Sequence, residues 1–250
     1  IQETVDMLQR FIAPGGVDYQ VHSNYAELKE SPERVKSYSF NATLPTMINN
    51  GPMTPVRPTN RKTDVDIYPA TADKGAIYEM GIFIQDIDAP FDINVLQKVP
   101  LPPNRDVVKA KYLQDIYAEL LNVAVYDLTE ETQNETWVAL AAESANRITT
   151  ETARALKEIR FNNSVLWSSD STANEEALAR GQFVVNQRHI GAAMSGLMKS
   201  AGMPTSHEVY GGQTIASNEI GSENYSGEFG SGPTDEMLRV AKLAQFLATR

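Results

Sequence analysis

The spacing of apolar residues over positions 105–126 is the strongest periodic signal in the chain. Apolar residues recur there at intervals of three and four positions, at Leu113, Ile116, Leu120 and Val123. This spacing places them on one face of an α-helix. We therefore predict a helix over 105–126 that lies across the core and contributes much of the stability.

Two other apolar runs are typical of β-strands. Residues 76–87 are rich in β-branched and aromatic residues and are bounded by Gly75 and Pro90, so they are the best strand candidate. The run from Phe183 to Val185 predicts a short buried strand. Helical and strand patterns together predict an α+β fold with a central mixed α/β lobe.

Weaker patterns organise the rest of the chain. Further helices are predicted at 2–12, 129–145, 150–160, 173–180, 190–198 and 234–250, and a glycine-rich loop at 211–232. Thr149 or Thr150 is the expected cap of the helix at 150–160. We divide the chain into an N-terminal arm with the first strands (1–43), an extended proline-rich loop (44–75), a strand followed by the long helix (76–148), and a central α/β lobe with the glycine-rich loop and the C-terminal helix (149–250).

Residues 44–72 differ from their surroundings in proline content and charge. Frequent proline prevents a regular helix and favours an extended segment. Arg57, Arg61 and Lys62 make this segment locally basic in an acidic chain. Because the segment has no core of its own, we predict that it lies on a neighbouring subunit and that these three residues contact carboxylates there. The alternative is a loop that wraps its own domain.

Net charge and composition exclude several classes of function. The 250-residue chain carries a formal net charge of −10, so phosphate backbones repel it and we expect no intimate contact with nucleic acid. It contains no cysteine, which rules out disulfides and thiolate metal sites. It also lacks a run of about 18 apolar residues, so we expect no membrane partner.

Three aspartates, Asp86, Asp88 and Asp92, lie at the end of the strongest strand signal. Carboxylates at alternate positions could share a face and hold a hard cation. The segment lacks the calcium-loop pattern of EF-hands, however. A solvated strand end is therefore the favoured interpretation, and no metal site is predicted.

Sequence motifs of catalysis are missing from the chain. His22, His189 and His207 are scattered, and no His-Glu-x-x-His motif, phosphate-binding loop or Gly-x-Ser-x-Gly elbow occurs. We therefore predict a protein that is not an enzyme and takes no cofactor. One alternative is an enzyme whose site is assembled from distant residues. Another is an adaptor, tail or other interaction subunit of a large assembly.

The order of these elements resembles that of the major capsid proteins of tailed bacteriophages. Residues 44–72 are similar to the extended loop of that family, residues 76–87 to the strand before its spine helix, and residues 105–126 to the spine helix. Residues 181–190 (Gly-Gln-Phe-Val-Val-Asn-Gln-Arg-His-Ile) resemble a pattern of the central lobe, in which a hydrophobic strand ends in Asn and leads into a helix. The chain departs from the family at 234–250, where a helix is predicted instead of a returning pair of strands.

The resemblance implies a structural protein that self-assembles into a viral shell. Its expected location is the virion, after assembly in the host cytoplasm. Its expected partners are copies of itself and, secondarily, other virion proteins. An acidic inner wall would enclose nucleic acid without binding it, which agrees with the charge of the chain.

Overall fold

A mixed five-stranded sheet forms the first part of the fold. The computed structural model describes residues 1–17, 19–28, 34–48, 57–101 and 107–212. The strands of this sheet are β1 (Tyr38–Ile48), β2 (Arg57–Pro69), β3 (Gly75–Glu79), β4 (Ile82–Ile87) and β5 (Phe91–Val95). They lie in the order β1-β2-β5-β3-β4, and all neighbours are antiparallel except β3 and β5.

Helices make up most of the remaining described structure. They are α1 (Gln2–Gln9), α2 (Ala110–Ala124), α3 (Thr136–Ala142), α4 (Thr150–Phe161), α5 (Ser171–Ala179), α6 (Gln187–Ile190), α7 (Ala192–Ser200) and α8 (Ser206–Tyr210). Two short strands, β6 (Ser164–Leu166) and β7 (Phe183–Val185), pair in parallel among them. The predicted α+β fold is therefore confirmed at this level. None of the helices in the described ranges has the length and apolar character needed to cross a lipid bilayer.

Helix α2 packs against the sheet within one apolar core. Ile116 and Leu120 are fully buried in this core, which confirms two positions of the predicted stripe. Val123 is 41% exposed, whereas Tyr112 and Tyr117 are buried. The buried face is thus broader than the stripe and is rotated away from Val123, because large aromatic side chains on its flanks also reach the core.

The start of α2 differs from the prediction. The helix begins at Ala110 rather than at residue 105, since Lys109 is extended (φ −61°, ψ 134°). Residues 102–106 lie outside the described part of the chain. Leu113, near the helix start, is only half-buried, so it contributes less to the core than the fully buried Ile116.

Residues 76–87 form two strands joined by a tight turn rather than the single strand predicted. The turn residues Met80 and Gly81 have φ values of 48° and 87°, and two positive φ values are typical of a type I′ hairpin turn. A side chain at position 81 would also collide with the carbonyl oxygen of Ile12. The turn escaped sequence analysis because Met80 stands where Asn or Asp usually marks it.

The connection between β4 and β5 crosses the start of β3. The Gly75 N–H donates to the carbonyl oxygen of Ala89 (2.8 Å). A side chain at Gly75 would collide with the backbone of Ala89 and Phe91. Glycine at this position therefore lets the connection pass close to β3.

The predicted loop at 44–75 consists largely of strand in its described part. Strands β1 and β2 pair along the full length of β1, and residues 49–56 between them lie outside the described residues. Pro45 is tolerated because β1 is an edge strand, and Pro58 because β2 has a neighbour on one side only at that point. Proline thus marks the free edges of a hairpin here rather than a loop.

Other predictions were confirmed or corrected in extent. Helices α1, α4 and α5 confirm three predicted helices, and the Thr149 side chain caps α4 as expected. The helix predicted at 129–145 is confined to α3, and the one predicted at 190–198 is interrupted at Gly191. Phe183 is 70% exposed, so β7 is not the buried strand predicted. The predicted glycine-rich loop from residue 213 onward and the predicted C-terminal helix lie outside the described residues.

Candidate interaction surface

The outer half of β2, Arg57–Lys62, projects beyond the five-stranded sheet. Strand β5 pairs only with residues 65–69 of β2, whereas β1 pairs with residues 57–67. The outer half therefore has a hydrogen-bonded neighbour on one side only and forms a two-stranded ribbon with the end of β1. An isolated two-stranded ribbon is marginally stable in water, so this part of the hairpin depends on further contacts, and its own chain supplies some of them on the β1 side, where Leu44 and Thr46 are buried.

The three predicted contact residues lie on two faces of this ribbon. Side chains alternate along a strand, so Arg57 and Arg61 share the face of the buried residue Val65. They stand opposite Ile48 and Leu44 of β1 on that same face. Lys62 points to the other face. The cluster predicted from sequence is therefore split into a pair of arginines and a separate lysine.

All three side chains are exposed and available to a partner. Among the described residues, the side chains of Arg57, Arg61 and Lys62 form no hydrogen bond and no ion pair. By contrast, Arg10 and Arg34 both have carboxylate partners. The ribbon thus carries positive charge that the described part of its own chain leaves unpaired.

Hydrogen bonds to the rest of the fold hold β1 at several points along its length. The Tyr38 hydroxyl donates to Asp127 (2.8 Å), and the Arg147 guanidinium donates to the carbonyl oxygen of Thr43 (2.8 Å). Further out, the Thr46 hydroxyl donates to the carbonyl oxygen of Lys98 (2.7 Å). Burial, and then the bond to Asp127, raise the pKa of Tyr38 to about 12. These contacts fix the direction in which the ribbon leaves the body.

The N-terminal segment supplies three cations to the sheet. Arg34 pairs with the buried Asp92 (2.6 Å), and Lys36 pairs with Asp66 (2.9 Å). Arg10 pairs with Asp86 (2.6 Å) and lies over the ring of Phe83. The hydrogen bond to Asp66 raises the pKa of Lys36. These ion pairs tie residues that precede the sheet to the strands at its centre and edge.

Each of the three aspartates considered as a ligand for a metal cation instead lies beside a different cationic side chain. Asp86 and Asp92 bind arginines of the N-terminal segment, and Asp88 lies 3.7 Å from the Lys74 ammonium group. In the described residues no group of three or more His, Cys, Asp or Glu side chains is arranged to hold a metal ion. Each carboxylate acts here as the partner of one cation.

A polar cluster lies beyond the end of β6. His207 contacts Asp170 through Nδ1 (2.9 Å), and this bond lowers the pKa of Asp170. The buried Ser206 hydroxyl donates to Ser168 (2.8 Å) and lies within hydrogen-bond distance of Asn174. Asp170 also caps α5. The cluster thus joins the starts of α5 and α8, with Ser206 bonded to Ser168 and Asn174 and His207 bonded to Asp170.

A groove between the short helical turn that follows α2 (Val125–Asp127) and helix α4, called the α2–α4 groove, was not found from the sequence. Its exposed surface is mostly apolar, and its charged lining residues all belong to α4; the lining residues are Tyr126, Glu151, Arg154, Ala155, Glu158 and Ile159. Tyr126 is 76% exposed. The only sequence signal is a pair of glutamates seven residues apart on one helix face. That signal is common on helices, so it indicates a groove only when the neighbouring element is known.

Comparison with known proteins gave no relative: no protein-family model, no curated protein and no solved structure matches this chain.

Proposed function

We propose that this protein is a structural subunit that self-assembles into a viral shell. The resemblance to major capsid proteins of tailed bacteriophages suggests this class, and the proposal places the protein in the virion. Its main partners are further copies of the same chain, and other virion proteins are secondary partners. No catalytic role and no cofactor are part of the proposal.

The observation that carries the proposal is the projecting ribbon with unpaired cations. Arg57, Arg61 and Lys62 are exposed and unpaired among the described residues, in a chain whose formal net charge is −10. A second copy of such a chain offers many carboxylates to these cations. Pairing with the pre-ordered strands of a hairpin also loses less conformational entropy than ordering a free loop.

Repetition makes weak contacts sufficient in a shell. One exposed ion pair contributes only about 0–1 kcal/mol. A closed assembly repeats every contact in each subunit, so small contributions add up. The same acidic charge would keep the shell wall from binding tightly to enclosed nucleic acid.

The test is the size and shape of the purified full-length chain. Mass photometry at micromolar concentration, followed by electron microscopy, should reveal closed particles. Open rings or tubes would indicate the adaptor or tail subunit instead of a shell. A monomer of 27.6 kDa at every concentration and ionic strength would overturn self-assembly altogether.

A further inference from the structure

The groove between α2 and α4 has features that match the projecting ribbon. At its rim, Glu151 and Glu158 are both exposed. Glu151 has no ion-pair partner among the described residues, and Glu158 pairs only with the adjacent Lys157 (2.9 Å). An exposed pair of this kind exchanges at little cost. The groove therefore offers two carboxylates to an incoming pair of cations.

The spacing of the charges agrees on the two surfaces. Glu151 and Glu158 are seven residues apart, which is two turns of helix or about 10.5 Å along its axis. Arg57 and Arg61 are four residues apart on one face of a strand, or about 13 Å. Flexible arginine side chains readily span the difference. Each arginine can thus meet one glutamate at the same time.

The apolar parts of the two surfaces also correspond. Ile48 stands opposite Arg57 on the same face of the ribbon. Tyr126 and the half-buried Ile159 form apolar surface in the groove, beside the charged residues of α4. An isoleucine placed there would cover part of the highly exposed Tyr126 ring.

The ribbon cannot reach the groove of its own chain. The bond between Tyr38 and Asp127 fixes the inner end of the hairpin beside Tyr126, at the groove. Ile48 is ten residues further along β1, about 33 Å away along an extended strand. The outer end of the ribbon therefore points away from this groove, and a second chain must supply the occupant.

We infer that the α2–α4 groove binds the β1–β2 ribbon of a second copy, with Arg57 and Arg61 on Glu151 and Glu158. This inference rests on the proposed self-assembly and names its contact. Ribbon and groove are different surfaces, so the contact is heterologous. Contacts of this type propagate from copy to copy and close into rings or shells when the geometry allows.

Arg154 provides an internal test of the charge argument. It lies between the two glutamates on the same helix face and, among the described residues, forms no ion pair. Its positive charge opposes the incoming arginines. Arg154→Ala should therefore favour assembly and lower the concentration for half-assembly by about twofold to fivefold, because removal of one exposed repulsion has a small effect.

The main experiment exchanges the charges of the two surfaces in the full-length chain. R57E/R61E and E151R/E158R should each raise the concentration for half-assembly by about tenfold or more, measured by sedimentation and mass photometry. The quadruple variant carries both exchanges and keeps the natural net charge of −10, since the changes of −4 and +4 cancel. It should recover assembly, and an equimolar mixture of the two double variants should recover it as well.

A matched control separates this contact from general repulsion. Arg188→Glu with Lys199→Glu changes the net charge by −4, as R57E/R61E does, at exposed positions outside both the ribbon and the groove. It should leave the half-assembly concentration within about twofold of the wild type. Circular dichroism should give the native spectrum for every variant, because all the changed side chains are exposed.

The outcomes distinguish the contact from the function. If wild type assembles and both double variants assemble equally well, the groove contact is wrong while self-assembly stands. If each double variant fails and the quadruple variant also fails, these residues do not pair with each other and the inference is overturned. A wild-type chain that stays monomeric overturns both the groove contact and the proposed function.

Discussion

The two halves of β2 belong to one continuous strand but have opposite environments. The inner half is buried from Val65 to Tyr68, between β1 and β5. The outer half, from Arg57 to Lys62, is exposed except for the half-buried Thr59. Both halves pair with β1 in the same register. The difference arises from the residues that each half offers to its neighbours, and it separates what holds the subunit together from what is left for a partner.

The largest expected effect on the free energy of unfolding comes from a substitution of Asp92, which lies on β5 beside the inner half of β2. This residue pairs with Tyr68 across β2 and β5 and is 2% exposed. Asp92→Ala should lower the free energy of unfolding by about 3–5 kcal/mol, because it leaves the Arg34 guanidinium without its buried partner. Urea unfolding measures the change. Asp88→Ala, at an exposed pair, is the control and should cost about 0–1 kcal/mol. Equal losses of stability in the two variants would contradict the distinction between the buried ion pair of Asp92 and the exposed one of Asp88.

Loss of apolar packing in the inner half should have the next largest effect. Ile67 is fully buried in the core shared with α2. Ile67→Ala should cost about 2–5 kcal/mol through lost burial and the cavity left behind. Thr59→Ala, on the same strand and the same face, should stay within about 1 kcal/mol. Equal denaturant midpoints for the two variants would mean that the halves of β2 are not energetically distinct.

High pH should lower the free energy of unfolding through Tyr38, at the inner end of the hairpin, by less than either of the two substitutions above. The pKa of Tyr38 is about 12, above its ordinary value of 10.0, so the fold favours the neutral phenol. The stability from this group is fully present below pH 10 and is lost as pH rises from about 10 to 12. Tyr38→Phe should remove about 1 kcal/mol or less of pH-dependent stability over this range, since the group is partly exposed.

The pH dependence of the wild-type stability alone does not report on Tyr38. The test therefore compares the stability of the wild type and of Tyr38→Phe as a function of pH. Tyr112 and Tyr117 also have pKa values of about 12 because they are buried. They should make the wild type and Tyr38→Phe alike lose stability above pH 10. Denaturant unfolding at several pH values isolates the contribution of Tyr38. Parallel curves for the two proteins would show that neither the burial of Tyr38 nor its bond to Asp127 makes stability depend on pH in this range.

The smallest effect on folding is expected in the outer half. Arg57→Ala and Arg61→Ala should each change the free energy of unfolding by less than about 0.5 kcal/mol, because both side chains are exposed and unpaired among the described residues. The same variants should weaken assembly. A marked loss of monomer stability in either variant would place these arginines in the fold of their own chain.

Local patterns in the sequence were sufficient for part of the fold. The stripe around Ile116 and Leu120 predicted α2 because helix periodicity survives burial, and Thr149 was recognised because capping is a local interaction. The β1–β2 hairpin was mistaken for a loop because proline at a free strand edge has the same sequence signature as proline in a loop.

The candidate surfaces were harder to predict because they depend on distant residues. The basic residues Arg57, Arg61 and Lys62 were identified from local charge, but their division between two faces follows from the strand pairing. The bond between Arg34 and Asp92 joins residues 58 positions apart. The groove requires α4 to pack beside Tyr126, and helix periodicity does not specify that neighbour. Spatial arrangement supplies information that no short window of sequence contains.

The crossing of the β4–β5 connection over β3 has a consequence for the order of folding. β3 lies between β4 and β5, and the connection past Gly75 consists only of residues 88–90. The β3–β4 hairpin is local and forms within microseconds, about 1–10 μs in isolated hairpins. We expect this hairpin to form first and β5 to add afterwards. Ile77→Val, in β3, should then slow refolding, whereas Val95→Ala, at the end of β5, should mainly speed unfolding. The reverse pattern in stopped-flow kinetics would mean that β5 finds its place before the turn at Met80 has closed.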